Sequence, residues 1–344
     1  MTDGVGGLVV RAPNHLGELI LALPALEHAA AEERAAGRRL QVQFPAGLEA
    51  VLDMAVLDVG RLPLRDRRDV RAGGRQLRSS GARRGVLLTP SVSSALMFRL
   101  GRLRSRRGTA GGWRTWLLTD PVPRGPLLQG HRVNEFLTLV GADGSGEPPV
   151  PAIRPPAGGS SRPEDARRVV ALFPGANAES RRWPAGCFSA LAQRLARAGL
   201  RVLVLGGPGE EGLTGVVASA GAACGACEDL GGRTDLAGLA DVLARSHVLV
   251  TNDTGPMHLA AALGTAVVAL EGPADIRQTR PLGKRVKLIG RFDLPCVPCV
   301  RNRCPRTGRG TVLGDARKEC MWLISVDEVE KAVQELLEEG GPGE

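Results

Sequence analysis

The 344-residue chain has no tyrosine, and Phe and Trp together make up only 3% of it. Stacking platforms for bases are therefore poorly supplied, and nucleic acid is not an expected partner. No apolar run reaches the roughly 18 residues that a membrane-spanning helix needs. The opening MTDGVGGLVVRAPNH lacks a basic stretch followed by a long apolar one. It reads as a first strand rather than a secretory signal, so the expected location is the cytoplasm. Seven cysteines, an odd number in a long chain, argue against a disulfide framework. Acidic residues are scarce in one region: Arg61 to Arg107 holds 14 Arg against two acids, Asp66 and Asp69. The whole chain carries a net charge of +9, and Asp327 to Glu344 is acidic. Such a basic block suits an anionic partner such as nucleic acid, a phosphorylated lipid or an acidic membrane face, which leaves a non-catalytic binder of anionic surfaces as a rival function, or it is a solvated surface.

The apolar content of 43% is that of a globular protein, and the length favours two domains. Short apolar, β-branched runs alternate with helical patterns. Leu8–Val10, Gln41–Phe44 and Gly85–Pro90 read as strands, and Leu19 to about Arg34, Ser91–Leu100 and His131–Val140 as helices. Gly101–Gly112 reads as a basic loop. Gly141 to Pro163 is rich in Gly, Pro and Ser, as linkers are. The alternation restarts at Val169–Phe173. The expectation is an α/β protein with parallel sheets. The domains are an N-terminal domain at 1–150, a linker at 151–166, a C-terminal domain at 167–325, and a helix and tail at 326–344. Ser325 with Glu328 forms a capping box for that helix.

The stretch Val248 to Pro273, VLVTNDTGPMHLAAALGTAVVALEGP, organises the rest. It reads as a strand, a turn of capping-type residues at Asn252, Asp253 and Thr254, a short helix with Pro256 in its first turn, and a second strand. A helix N-terminus at the end of a strand favours a phosphate. An ordinary, well-capped turn would look the same. Two other stretches follow strands. Asn14, Gly17 and Glu18 come after the first one, with Gly17 just ahead of a helix. Pro174 to Pro184, with Gly175, Ala176, Arg181 and Arg182, follows the Val169–Phe173 strand and makes a plausible phosphate cradle. Gly207, Gly209 and Gly212 match a dinucleotide fingerprint, which leaves an NAD-binding oxidoreductase as a rival. Glu210 and Glu211 stand where a pyrophosphate would approach, which weighs against it.

NDTGPMHLAAALG followed by ALEGP resembles the donor-site motif of the glycosyltransferase family 9 heptosyltransferases. Pro13 to Glu18 with Pro24-Ala25-Leu26 is similar to that family's N-terminal signature, and Arg181 stands two residues before its Trp-Pro. The resemblance implies two Rossmann-like domains facing across a cleft, the GT-B architecture. It also implies inverting, metal-independent transfer of a heptose or related sugar from an ADP-sugar to a lipopolysaccharide core or similar glycan acceptor, a phosphorylated lipid or glycan. No Asp-x-Asp occurs, in keeping with leaving-group stabilisation that needs no metal.

By the same resemblance Glu18 takes the place of a general base that is Asp in the family, one methylene further out. Asn14 and Gly17 face the acceptor. The donor set is Gly175, Ala176, Arg181, Glu210, Asp253, Thr254, Gly255, Met257 and His258. Glu210 falls on the ribose and Arg181 on the diphosphate, while His258 is a packing histidine rather than a proton carrier. No cofactor is expected, only the ADP-sugar donor, and the enzyme should work peripherally at the inner membrane face. Cys296, Cys299, Cys304 and Cys320 form a C-x₂-C-x₄-C-x₁₅-C array that could hold zinc, although a second tight pair is missing. The leading expectation is no metal.

Overall fold

The computed structural model describes residues 6–127, 129–156, 168–222, 225–305 and 319–339. Most of the expected linker, Cys224, and the tail beyond Glu339 lie outside these. The chain divides into two compact units between Arg154 and Pro155.

The first unit has six strands: β1 (Leu8–Arg11), β2 (Gln41–Pro45), β3 (Gly60–Leu64), β4 (Arg84–Leu87), β5 (Ser105–Thr109) and β6 (Asp120–Val122). They form one parallel sheet in the order β3-β2-β1-β4-β5-β6. Its helices are α1 (Leu16–Ala35), α2 (Glu49–Met54), α3 (Val70–Ser79), α4 (Val92–Leu100), α5 (Arg124–Leu127) and α6 (Arg132–Val140). Connections between neighbouring parallel strands need crossovers, and the helices supply most of them. Near its far end α1 is pinned by buried Glu33, which accepts from the Leu8 amide at 3.1 Å and from Arg38 at 2.9 Å and pairs with Arg84.

The second unit repeats the plan with β7 (Val169–Phe173), β8 (Arg201–Val204), β9 (Cys227–Asp229), β10 (Val248–Asn252), β11 (Ala266–Glu271) and β12 (Val286–Gly290). Their order is β12-β11-β10-β7-β8-β9, again all parallel. Its helices are α7 (Ala185–Arg197), α8 (Glu211–Ala222), α9 (Leu236–Arg245), α10 (Gly255–Ala262), α11 (Ile276–Thr279), α12 (Glu319–Trp322) and α13 (Val326–Glu339). Every residue of β10 and β11 is buried, as expected for central parallel strands covered on both faces. Each sheet reverses direction once, between β1 and β4 and between β7 and β10. Such switch points open crevices at the carboxyl ends of the strands.

Two expectations are corrected. The basic stretch Gly101–Gly112 is not all loop, because Ser105–Thr109 pairs with β4 and β6. Its arginines are satisfied by the fold: Arg106 donates to the Leu117 carbonyl at 2.7 Å, and Arg107 to the Leu139 carbonyl at 2.9 Å and to Asp120. Gly17 lies inside the first turn of α1, not ahead of it. The last helix places Val329, Ala332, Val333, Leu336 and Leu337 in the second unit's core. Its capping box forms as expected: Glu328 accepts from the Ser325 amide at 2.9 Å, and the Ser325 hydroxyl accepts from the Glu328 amide at 3.2 Å.

Candidate functional site

In the second unit the candidate side chains gather past the carboxyl ends of β7, β10 and β11. The β7–β10 ladder pairs Phe173 with Thr251. Continued by two residues, that register sets Gly175 beside Asp253. Asn252 locks the two loops together. Its amide donates to the Pro174 carbonyl at 2.8 Å, and its carbonyl oxygen accepts from the Trp183 amide at 2.9 Å. Asn252, read as a helix-capping type, is in fact the last residue of β10 and wholly buried.

Arg181 sits in a 3₁₀ turn, Glu179–Arg181, and approaches the Asp253 carboxylate at 2.9 Å. The distance is that of an ion pair, but the angle is not that of a hydrogen bond, and Oδ2 of Asp253 has no hydrogen-bond partner. Asp253 is 4% exposed and Arg181 about a third exposed. Arg182 turns the other way and donates to the Ala176 carbonyl at 2.8 Å. The 3₁₀ turn is held by Ser180, whose amide donates to the Asn302 carbonyl at 3.2 Å and whose hydroxyl donates to the Arg301 carbonyl.

Gly175 meets Glu210 directly. A Cβ at Gly175 would fall 2.0 Å from Oε1 of Glu210, so only glycine lets this carboxylate lie against the backbone. Glu210 also accepts from the Gly207 amide at 2.8 Å, and Glu211 from the Gly209 amide at 3.0 Å. Two amides that a dinucleotide pyrophosphate would need are thus bound to carboxylates. This removes the main physical support for the NAD-binding alternative.

Thr254 is the N-cap of α10 by backbone position, and its hydroxyl lies 3.1 Å from that of Thr251 rather than on the helix amides. Pro256 brings no amide, and that of Met257 donates to the Thr254 carbonyl at 3.2 Å. Met257 and His258 are buried in the helix.

One residue of the site escaped the sequence reading. Glu271 ends β11, is 1% exposed, and neither carboxylate oxygen has a hydrogen-bond partner. Register pairs Asn252 with Leu270, so Asp253 and Glu271 follow side by side. They also share a face. Val250 of β10 and Leu270 of β11 point into the core beneath α13, and the alternation of a strand turns Asp253 and Glu271 to the opposite side. Burial pushes the Glu271 carboxyl well up, the neighbouring Asp253 pushes it further, and Arg181 opposes both. Asp253 is raised by burial against the pull of Arg181. The available signal was an acid at the end of an otherwise apolar strand.

A stability prediction follows. The folded state raises the Glu271 pKa above its unfolded value. Its burial is therefore tolerated while protonated and becomes a penalty as pH climbs from the unfolded pKa towards the folded one. Glu271→Gln should be more stable than the parent at alkaline pH, with the gap closing as pH falls. Urea midpoints between about pH 5 and about pH 9 measure this. A gap that shrinks with rising pH would contradict it.

In the first unit Glu18 is half-buried in the first turn of α1, past the end of β1. Asn14 accepts from the guanidinium of Arg11, and Arg11 is 1% exposed. Burial, then the charge of Arg67, lowers the Arg11 pKa to about 10. Gly17 is buried.

The Cys-rich segment has a visible structural part to play. The Cys299 and Val300 amides donate to the Pro273 carbonyl at 3.1 and 2.8 Å, just after Glu271, while Arg301 and Asn302 hold Ser180. The segment thus straps the turn of Arg181 to the end of β11. Burial, then Cys296, Cys304 and Cys299, pushes the Cys320 thiol up to about 11. Among the described residues no group of three or more His, Cys, Asp or Glu is set to hold a metal ion. No described helix is long and apolar enough to cross a membrane.

Residues 70–308 match the family model described as glycosyltransferase family 9 (heptosyltransferase). Lipooligosaccharide heptosyltransferase 2 of Campylobacter jejuni is 27% identical over 143 residues, 41% of this chain and 45% of that protein. Lipopolysaccharide heptosyltransferase 2 of Escherichia coli K12 is 28% identical over 247 residues, 67% of this chain and 70% of that protein. The match to the first of these spans less than half its length. The structure of E. coli ADP-heptose lps heptosyltransferase II superposes with a TM-score of 0.78 at 22% identity, covering 97% of this chain and 99% of that one. That likeness establishes the fold.

Proposed function

The chain belongs to glycosyltransferase family 9, and from that premise we propose that it is an inverting glycosyltransferase carrying a heptose, or a related sugar, from an ADP-sugar to a lipopolysaccharide core or similar phosphorylated acceptor. The observation that carries the reading is the Arg181–Asp253 ion pair at 2.9 Å, set beside the Gly175–Glu210 contact at the second switch point. A full positive charge and a helix start converge there, as a departing diphosphate requires. The relatives that this chain resembles are named for heptose transfer to the same class of acceptor.

The residues take these roles. Arg181, with the amides of Thr254 and Gly255, binds the diphosphate. Glu210 accepts from the ribose hydroxyls, with Gly175 and Ala176 giving the backbone room to approach. Asp253 takes sugar hydroxyls, and Met257 and His258 back the site from inside α10. Asn14 and Gly17 shape the acceptor side. Glu18 takes the proton of the acceptor hydroxyl as its oxygen attacks the anomeric carbon. The bond from that carbon to the diphosphate breaks, ADP leaves with the electron pair, and the single displacement inverts the centre. The charge of the leaving group falls on Arg181 and the helix start, so no cofactor has a part. The acceptor is lipid-borne, so the enzyme works peripherally at the inner face of the membrane.

A panel of nucleotide-sugars, with NADH and RNA as controls, tests the reading through binding and slow hydrolysis. ADP-heptose should bind and hydrolyse slowly without acceptor. Tight NADH binding with no ADP-sugar binding, or salt-sensitive RNA binding with no donor hydrolysis, would replace it.

A further inference from the structure

Two of the chain's four tryptophans stand almost wholly in solvent: Trp113 is 84% exposed and Trp116 is 83% exposed. Both lie in a 3₁₀ helix, Gly112–Leu117. Side chains three apart eclipse in a 3₁₀ helix, so the two indoles share one face. In a chain without tyrosine this concentrates much of the aromatic surface at one point.

The turn that carries them is firmly anchored. Arg114, between the two indoles, points inward and is 2% exposed. Its guanidinium donates to the Thr109 hydroxyl and to the Thr89 carbonyl, each at 2.8 Å, and also to the Thr109 carbonyl. It therefore ties the turn to the ends of β4 and β5. Arg106 fixes the far end by donating to the Leu117 carbonyl at 2.7 Å, and the Thr115 hydroxyl accepts from the Gly111 amide at 2.9 Å. Leu118 is buried in the core that α4 shares. The exposed indoles are thus presented by a braced element. A loose turn could fold them away.

Two exposed cations lie near the arginines that anchor this element. Arg124 is exposed and close enough to Arg114 to depress its pKa, second to burial. Arg99, exposed on α4, acts the same way on Arg106. Val92, at the start of α4, is 51% exposed. Indole rings settle at the boundary of headgroups and acyl chains, and cations beside them gain from an anionic leaflet. A folded partner would offer an apolar pocket to the indoles but no general reason for flanking arginines.

We propose that Gly112–Leu117 is a membrane-interface foot, with Trp113 and Trp116 entering the headgroup layer of an anionic bilayer and Arg99 and Arg124 resting on its phosphates. The proposal gives a physical basis to the membrane placement in the reading above and rests on that reading for its purpose alone, since the adhesion itself needs no substrate.

The test is sedimentation of the full chain with vesicles of phosphatidylethanolamine and phosphatidylglycerol, against vesicles of phosphatidylcholine alone. The parent should bind the anionic vesicles, weaken with salt, and show indole quenching by brominated lipid. Trp113→Ser with Trp116→Ser should lower vesicle partitioning by about 10-fold or more and abolish that quenching, with melting temperature and ADP affinity unchanged. Arg99→Gln with Arg124→Gln should flatten the salt dependence. Unchanged partitioning of the double tryptophan variant overturns the proposal. So does equal binding to phosphatidylcholine, or a tryptophan effect confined to binding of a soluble acceptor fragment or a protein. Vesicle binding without ADP-sugar hydrolysis would sink the functional reading and leave the foot standing.

Discussion

Glu18→Gln should lower kcat by roughly 10²-fold or more, the scale for loss of a general base, while ADP affinity stays at the parental value. The amide keeps the size of the side chain and removes its capacity to take a proton. The backbone sets Glu18 at a position that suits the proposed task. β1 ends at Arg11, α1 starts at Leu16, and Glu18 falls in the first helical turn beside the switch between β1 and β4. The buried Arg11 fixes the intervening turn through Asn14. Glu18→Asp separates reach from chemistry. It retains a carboxylate at the length that the family motif carries, so it should keep far more turnover than the Gln variant. Near-parental turnover in Glu18→Gln would remove Glu18 from the mechanism, and equal loss in both variants would mean that a carboxylate is needed at the length of glutamate itself.

Much of the fold could be read from the sequence because parallel strands covered on both faces are apolar throughout. Val169–Phe173 was read with its observed bounds, and Val248–Thr251 was one residue short at its end. Local hydrogen bonding was equally legible. Ser325 and Glu328 cap one another, as their spacing predicts. The reading failed where pairing or burial overrides composition. Nothing in Ser-Arg-Arg-Gly-Thr marks β5 as a strand, since its neighbours supply the ladder and its arginines find carbonyls far along the chain. Arg114 belongs to no motif or periodic pattern, yet it is 2% exposed. The donor loops were legible as single motifs. Their joining by Asn252, the strap from Cys299 to Asn302, and the pairing of Asp253 with Glu271 depend on residues distant in sequence. Periodicity carries no information about those.

Arg181→Ala should weaken ADP binding by about 1.5–3 kcal/mol, the range for a hydrogen bond to a charged group, or roughly 10- to 100-fold. Asp253→Ala should act in the opposite sense on ADP. Arg181 faces Asp253 at 2.9 Å, so a diphosphate must share that guanidinium with the carboxylate. Removing the carboxylate frees it, and ADP should bind at least as tightly as to the parent. The intact ADP-sugar should bind more weakly, because its hydroxyls lose their acceptor. The two variants together should not add. With Arg181 gone there is no shared cation for Asp253→Ala to release, so the gain in ADP affinity should vanish in the double variant. Arg181 is also the cation that holds down the pKa of both Asp253 and Glu271. Its loss should leave both carboxyls more readily protonated. Titration calorimetry with ADP and with ADP-sugar across the four proteins resolves each of these. Unchanged ADP affinity in Arg181→Ala, or an ADP complex lodged at Gly207–Gly212 with nothing near Thr254, would take the diphosphate away from the start of α10.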